Sequence, residues 1–458
     1  MIRGLITFNK RQCYFSLENF NLILEEIENR TDVSNDDLQE LLRIKKIDIP
    51  DILVGRTFNN RQIVFKVMHG YKKAFKTYFF RIQLYVVFKT LETSFDAIQF
   101  KAEELNSFYP LKNAYSITSK EQTGEIEFVA RPFTELERNF TFNFKEELIN
   151  GKLNISRNID WNNKSPLSLH TELTLYFEKS SDDYNKLQEL TYAFINALSF
   201  LTYRKNISIN EVSLKKIDEK SGDYLKIGTL HVLREGIKHI EEDPRIIREN
   251  IVDISIIEDN LGVLFESMLH KKIYLRHIPD NSKEKNLITP SRFMMATAGF
   301  EWQYDLSKGQ GKEKAEEGIE RENLHEFSEQ EKEILAFLEE KIESHTGEKK
   351  RYFKGIRNLV KRSSIKLSDK IEWTLIKYSD VLEGLIKNIY NTEKISFKEI
   401  AVRIARYRNK IAHGDISESH KDIVFDLRVI ELLYYVMVLD YIGVSKEKNL
   451  KALSSVGL

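Results

Sequence analysis

The hydrophobic periodicity of this chain changes once along its length, and that change limits the folds open to it. In residues 1–160, β-branched and aromatic residues recur in short runs separated by turn signals: "DILVGRTF", "RQIVFKVM", "YFFRIQLYVVF", "GEIEFVARPF" and "NFTFNF". Runs of this kind form strands, and Asn59-Asn60, between two of them, suits a tight hairpin turn. Such strands bury one face against each other, so a sandwich or barrel is expected. From Ile288 onward apolar residues recur at three- and four-residue steps, which predicts helices. The candidates are "TPSRFMMATAGFEWQYDL", "SEQEKEILAFLEEKIES", "EKKRYFKGIRNLVKR", "LSDKIEWTLIKYSDVLEGLIKNIYN", "SFKEIAVRIARYRNKIAH" and "HKDIVFDLRVIELLYYVMVLDYIG".

Residues 161–287 are mixed: "LHTELTLYFE" alternates as a strand, "DDYNKLQELTYAFINALSFLTYR" has helical spacing, and "NISINEVSL" alternates again. In Ser307–Glu326 ten of twenty residues are charged and three are apolar. Such a segment buries too little to order itself and is expected to be a flexible insertion. The predicted class is a multidomain α+β protein: a β-rich sandwich or barrel-like domain over 1–160, a small α/β region over 161–287, an all-α bundle over 288–445 with its insertion at 307–326, and a tail at 446–458.

Seventy basic and seventy acidic side chains cancel. The whole molecule therefore has no field favouring nucleic acid, and any such site must be a local patch. Cys13 stands alone and no Cys/His group has zinc-ligand spacing, so no disulfide, metal or cofactor is expected. The start "MIRGLITFNKRQ" lacks a signal peptide's apolar core, and the run "VIELLYYVMVLDYIGV" is interrupted by Glu431 and Asp440 and falls short of a membrane span. A cytoplasmic protein is the expectation.

The stretch "SFKEIAVRIARYRNKIAHG" carries its own boundaries. Ser396 and Glu399 have capping-box spacing, and Gly414 can take the left-handed conformation that ends a helix. Phe397, Ile400, Ile404 and Ile411 define the expected buried stripe. Arg408 falls on or beside it, where a guanidinium needs a partner or a cleft. His413 sits at the helix C-terminus, where the macrodipole favours the imidazolium. Arg408, Asn409 and His413 together suit metal-free cleavage of an RNA phosphodiester: the 2′-hydroxyl attacks phosphorus, the imidazole moves a proton, and the guanidinium and amide stabilise charge on the phosphoryl oxygens. A second copy of the helix across a two-fold axis would complete such a site.

"RNKIAHG" at the end of a helix, in an all-helical C-terminal region, resembles the signature of the HEPN ribonucleases. The order of helices, "SRFMMATAGFEWQ", then "VLEGLIK", then the motif helix and a closing helix after a β-rich region, resembles the ApeA-like branch of that superfamily. The resemblance covers residues 290–445. It implies a HEPN bundle that dimerises, a composite site with Arg408 and His413 as catalytic residues and Asn409 between them, and metal-independent cleavage leaving cyclic phosphate ends. It also implies a role in anti-phage defence by abortive infection, with transfer RNA as a candidate substrate and a phage protein as a candidate trigger bound by the N-terminal region.

Lys349–Lys370 holds nine basic residues against one acid. Lys350, Arg351, Lys354, Arg357 and Lys361 recur at helical spacing and form either an RNA-tracking face or a solvated one offset by acids elsewhere. Glu301 and Glu383 lie on apolar helices and are candidates to orient the arginine or histidine, structural pairing being the plainer role. Two other functions fit the same residues: a non-catalytic dimerisation or RNA-binding module, and a ligand sensor built on the β-rich domain.

Overall fold

The computed structural model describes residues 1–27, 49–73, 77–119, 126–159, 167–234, 236, 242–315, 329–363, 366–415 and 421–457. The chain divides into two compact units, Met1–His270 with Pro279–Lys285, and Lys271–Ile278 with Asn286–Leu458. No helix among the described residues is long and apolar enough to cross a membrane.

In the first unit, β1 (Ile2–Phe8), β2 (Arg11–Glu18), β3 (Asn21–Glu26), β4 (Ile52–Thr57), β5 (Gln62–Lys73) and β6 (Thr77–Phe88) pair in the order β6-β3-β2-β1-β4-β5. Strand β5 also pairs with β6, so six strands close a barrel and leave no unpaired edge between them. Its core is built from alternate residues, among them Phe8, Phe15, Leu22, Leu24, Phe65 and Phe80. Closure brings backbones together at Gly4, where a Cβ would lie 2.1 Å from the Arg56 carbonyl oxygen. The Asn59-Asn60 turn joins β4 to β5 as the sequence predicts, with Asn60 at φ 59° and its N–H donating to the Thr57 carbonyl.

Beyond the barrel the same sheet continues through β7 (Phe95–Ala102), β10 (Glu137–Phe144), β11 (Glu147–Ile159), β12 (Leu167–Ser181), β13 (Ile209–Ile217) and β14 (Tyr224–Val232), in the order β6-β14-β13-β7-β12-β11-β10. A separate hairpin pairs β8 (Tyr115–Ser119) with β9 (Ile126–Ala130). Among the described residues five α-helices belong to this unit: α1 (Glu103–Phe108), α2 (Tyr184–Thr202), α3 (Pro244–Glu249), α4 (Ile254–Ile257) and α5 (Leu261–Leu269). Helix α2 packs on the apolar face of the sheet, where Phe194 stacks on Phe100 at 4.3 Å.

Residues 161–287 are therefore no α/β region apart, because β12, β13 and β14 pair with β7, β11 and β6 of the preceding segment. Antiparallel ladders join strands that are distant in sequence, and a change in local composition does not report who pairs with whom.

The second unit is all-helical: α6 (Pro290–Ala315), α7 (Glu329–Ser344), α8 (Gly347–Ser363), α9 (Leu367–Lys377), α10 (Ser379–Tyr390), α11 (Phe397–Ala412), α12 (Ile423–Tyr441) and α13 (Lys446–Ser455). Helix α12 is its centre, buried continuously from Val429 to Leu439. The acids that interrupt its apolar run have partners. Glu431 accepts two hydrogen bonds from Arg292 at 2.8 and 3.0 Å, and Asp440 accepts from Tyr378 at 2.5 Å and Lys377 at 3.0 Å. The Tyr378 anchor sits where the helix predicted over "LSDKIEWTLIKYSDVLEGLIKNIYN" breaks into α9 and α10. The expected tail at 446–458 is instead the helix α13, with Asn449, Ala452 and Leu453 buried. Of the expected insertion at 307–326, residues 307–315 continue α6 and the remainder lies outside the described residues.

The sheet face opposite α2 is polar, and pairing aligns Asn154, Glu172, Lys101 and Glu211 across four strands. Burial alone would raise the Glu172 carboxyl, but hydrogen bonds with His170 and Ser156 and the charges of Lys215 and Lys101 hold it at about 2. Its pairing thus contributes stability that is complete above the ordinary value of 4.5 and is lost as pH falls through about 2. Urea denaturation of wild type and Glu172→Gln across that window is expected to show a steeper acid loss in wild type.

Candidate functional site

The motif helix α11 begins where Ser396 accepts a hydrogen bond from the Glu399 N–H at 3.3 Å; only the serine half of the expected box forms. It ends in a C-terminal turn in which the Asp415 N–H donates to the Lys410 carbonyl at 3.0 Å and Gly414 adopts φ 81°. Ile400, Ala401, Ile404 and Tyr407 are buried, while Phe397 and Ile411 are only partly so. Both Tyr407 and Ile411 fall on the stripe by helical spacing, but Tyr407 is the one buried, because Ile411 stands in the last turn of the helix, next to its end at Ala412. Its ring meets Phe293 of α6 edge-on at 4.8 Å.

Arg403 fixes the rotation of this helix. Its guanidinium holds both oxygens of Asp426 on α12, at 3.1 and 2.7 Å, and Tyr390 donates to the same fully buried carboxylate. Burial and the Asp426 charge together push the Tyr390 hydroxyl well above its ordinary range, so it stays a donor.

With that face inward, Val402, Ala405, Arg406, Asn409, Lys410 and His413 share the outward face and, with Ser368 and Asp415, line a groove of about 480 Å³. Asn409 and His413 are both exposed, four residues and about one turn apart. Arg408 lies about 100° around the helix from Asn409 and is half-buried. Its Nη2 is 3.6 Å from Glu301 of α6, and its Nη1 donates to the Asn409 Oδ1 at 3.2 Å. Arg408 thus reaches the groove through the Asn409 amide.

The predicted site residues separate accordingly. Arg408, Asn409 and Glu301 are brought into contact, and Glu301 is shared with Lys370 at 3.9 Å. His413 shares the groove with Asn409, and no side chain among the described residues hydrogen-bonds its ring. Glu383 does not join them: it pairs with Lys387 one turn along its own helix at 2.9 Å. The basic helix also divides. Arg351 and Lys354 are exposed and Lys350 is partly buried. Arg357 is withdrawn from the predicted face, because its Nη1 bonds both oxygens of Glu339 on α7 at 3.0 and 3.2 Å. The Lys361 side chain lies outside the described residues.

Sequence reasoning missed Arg406 and Lys410, two cations on the groove face. The available signal was spacing: Arg406 stands three residues before Asn409, and Lys410 three before His413. The arrangement provides an exposed imidazole, a neutral amide donor and three cations around one surface groove, a set suited to a phosphodiester. Comparisons with protein-family models, with curated proteins and with solved structures returned no match to this chain.

The inward and outward faces make opposite predictions for stability. Asp426→Ala strands the partly buried Arg403 and should cost about 3–5 kcal/mol. Arg406→Ala and His413→Ala should each stay within about 0.5 kcal/mol of wild type, as substitutions on an exposed face do. Urea denaturation of the three variants checks both.

Proposed function

We propose that this chain is a metal-independent endoribonuclease whose second unit is a HEPN bundle, working as a homodimer in which two motif helices face each other. The observation that carries the reading is the outward placement of Asn409 and His413 in one groove, with Arg408 held beside them by Glu301. On this reading the 2′-oxygen attacks phosphorus as one His413 takes its proton. The 5′-oxygen leaves as it gains a proton from the second copy's imidazole, and a 2′,3′-cyclic phosphate and a 5′-hydroxyl result. Arg408 and Asn409 meet the charge that develops on the phosphoryl oxygens. Arg351 and Lys354 would track the flanking backbone. The biological role is anti-phage defence by abortive infection, with transfer RNA as substrate and a phage component recognised by the first unit.

A second reading keeps the bundle and removes the chemistry. The exposure of His413 favours it, since a general base ordinarily works where neighbouring groups hold its ring. The motif helix would then serve dimerisation or RNA binding alone.

Cells expressing wild type, Arg408→Ala or His413→Ala, challenged with phage and analysed by RNA-end sequencing, separate the two. The nuclease reading expects new ends and protection in wild type only. Equal protection and identical ends in all three would reject it.

A further inference from the structure

Strand β6 is paired on one edge by β5 along nearly its whole length, but two strands share the other edge. Thr77–Arg81 pair with β3, and Leu84–Phe88 pair with β14. The chain leaves β3 backwards through Phe20, whose carbonyl accepts from the Ile82 N–H at 2.9 Å, and leaves β14 forwards through Leu233, whose N–H donates to the Gln83 carbonyl at 2.9 Å. From that fork the two strands diverge, and no ladder spans the gap between them. An opening there follows from the topology.

The opening is a cavity of about 600 Å³ lined by Leu17, Glu18, Phe20, Arg81, Tyr85 and Arg234, among others. A second cavity of about 280 Å³ shares Phe20, Val232 and Arg234 with it and reaches His231 and Thr191. Together they have the size of small-molecule sites, which run from about 300 to 1,000 Å³.

Their walls combine two recognition elements. The first is aromatic: Phe20 lies 5.3 Å from Tyr85, and Tyr85 is stacked on His231 at 4.5 Å with their planes 15° apart. All three are partly exposed. Burial, and then the charge of Lys226, lowers the His231 imidazole below its ordinary value. A neutral ring stacked on tyrosine offers a π-face to a planar ligand. The second element is cationic. Arg234 is fixed by the main-chain carbonyls of Ile207 and Lys205, at 2.6 and 3.0 Å, rather than by a carboxylate. Glu104, the acid that acts most on it, is already bonded to Arg204 at 2.6 Å. Arg81 is anchored by the Asn19 carbonyl and the Asn21 amide oxygen, at 2.8 and 3.0 Å. Fixed guanidinium groups beside a cavity suit a phosphate.

We infer that the fork between β3 and β14 is a binding site for a nucleotide, its base lying on the Tyr85 and His231 side and its phosphate facing Arg81 and Arg234. The binding does not rest on the nuclease reading; only its use as a trigger for that activity does. Isothermal titration of the full chain with AMP, ATP, adenosine and inorganic phosphate tests it. Wild type should bind AMP or ATP with a Kd below about 1 mM, and adenosine and phosphate about tenfold more weakly or worse. Arg81→Gln should lose about tenfold, as should Tyr85→Leu wherever circular dichroism shows it folded, while His413→Ala binds as wild type does. No nucleotide binding by wild type, or equal affinity in Arg81→Gln, would overturn the site. Loss of RNA cleavage with retained AMP binding in His413→Ala keeps the two proposals separable.

Discussion

The pairing of Arg403 with the fully buried Asp426 sets the rotation of the motif helix, and the candidate site follows from that setting. A helix presents one face to its bundle and the opposite face to whatever lies outside. Once Arg403, Ile404 and Tyr407 face inward, Val402, Arg406, Asn409 and His413 face outward, and Arg408 falls between. Glu301 then captures Arg408 from the side, so its charge is steered without being removed from the surface. Tyr390, held as a donor to Asp426, makes the inward pair a triad and stiffens the setting.

Much of this was legible in the sequence, and the misses have physical causes. The change of period from two to 3.6 marked the β-rich and helical parts, and Ser396 and Gly414 marked the ends of the motif helix. The interior stripe differed at one position because Ile411, although on the stripe by spacing, lies in the last turn of the helix, while Tyr407 packs edge-on against Phe293. Glu301, a candidate to orient the arginine or the histidine, lies 3.6 Å from Arg408. Glu383, the other candidate, does not join it, since Lys387 one turn away is a nearer partner than any residue on another helix. What the sequence did not carry was strand pairing. The extension of one sheet from the barrel through β14 to β10 depends on ladders between segments more than a hundred residues apart, such as Phe100 with Val212.

Both units pair deep carboxylates with guanidinium groups, as Glu104 meets Arg204 in the β unit, and the β unit adds a second arrangement. In the helical unit each deep carboxylate meets a guanidinium from another helix, as Glu431 meets Arg292, so charge becomes a device for aligning helices. In the β unit charges are spread over a sheet face in register, and Lys101 lies within 3.9 Å of acids on both neighbouring strands. The first arrangement fixes one geometry. The second leaves a polar surface whose balance shifts with pH.

We propose that the outward face of the motif helix performs chemistry. Incubation of purified wild type and His413→Ala with transfer RNA in EDTA, followed by identification of the new 3′ ends, tests it most directly. The account predicts 2′,3′-cyclic phosphate ends from wild type and none from a folded His413→Ala chain. Ends of the same number and kind from both proteins would contradict it.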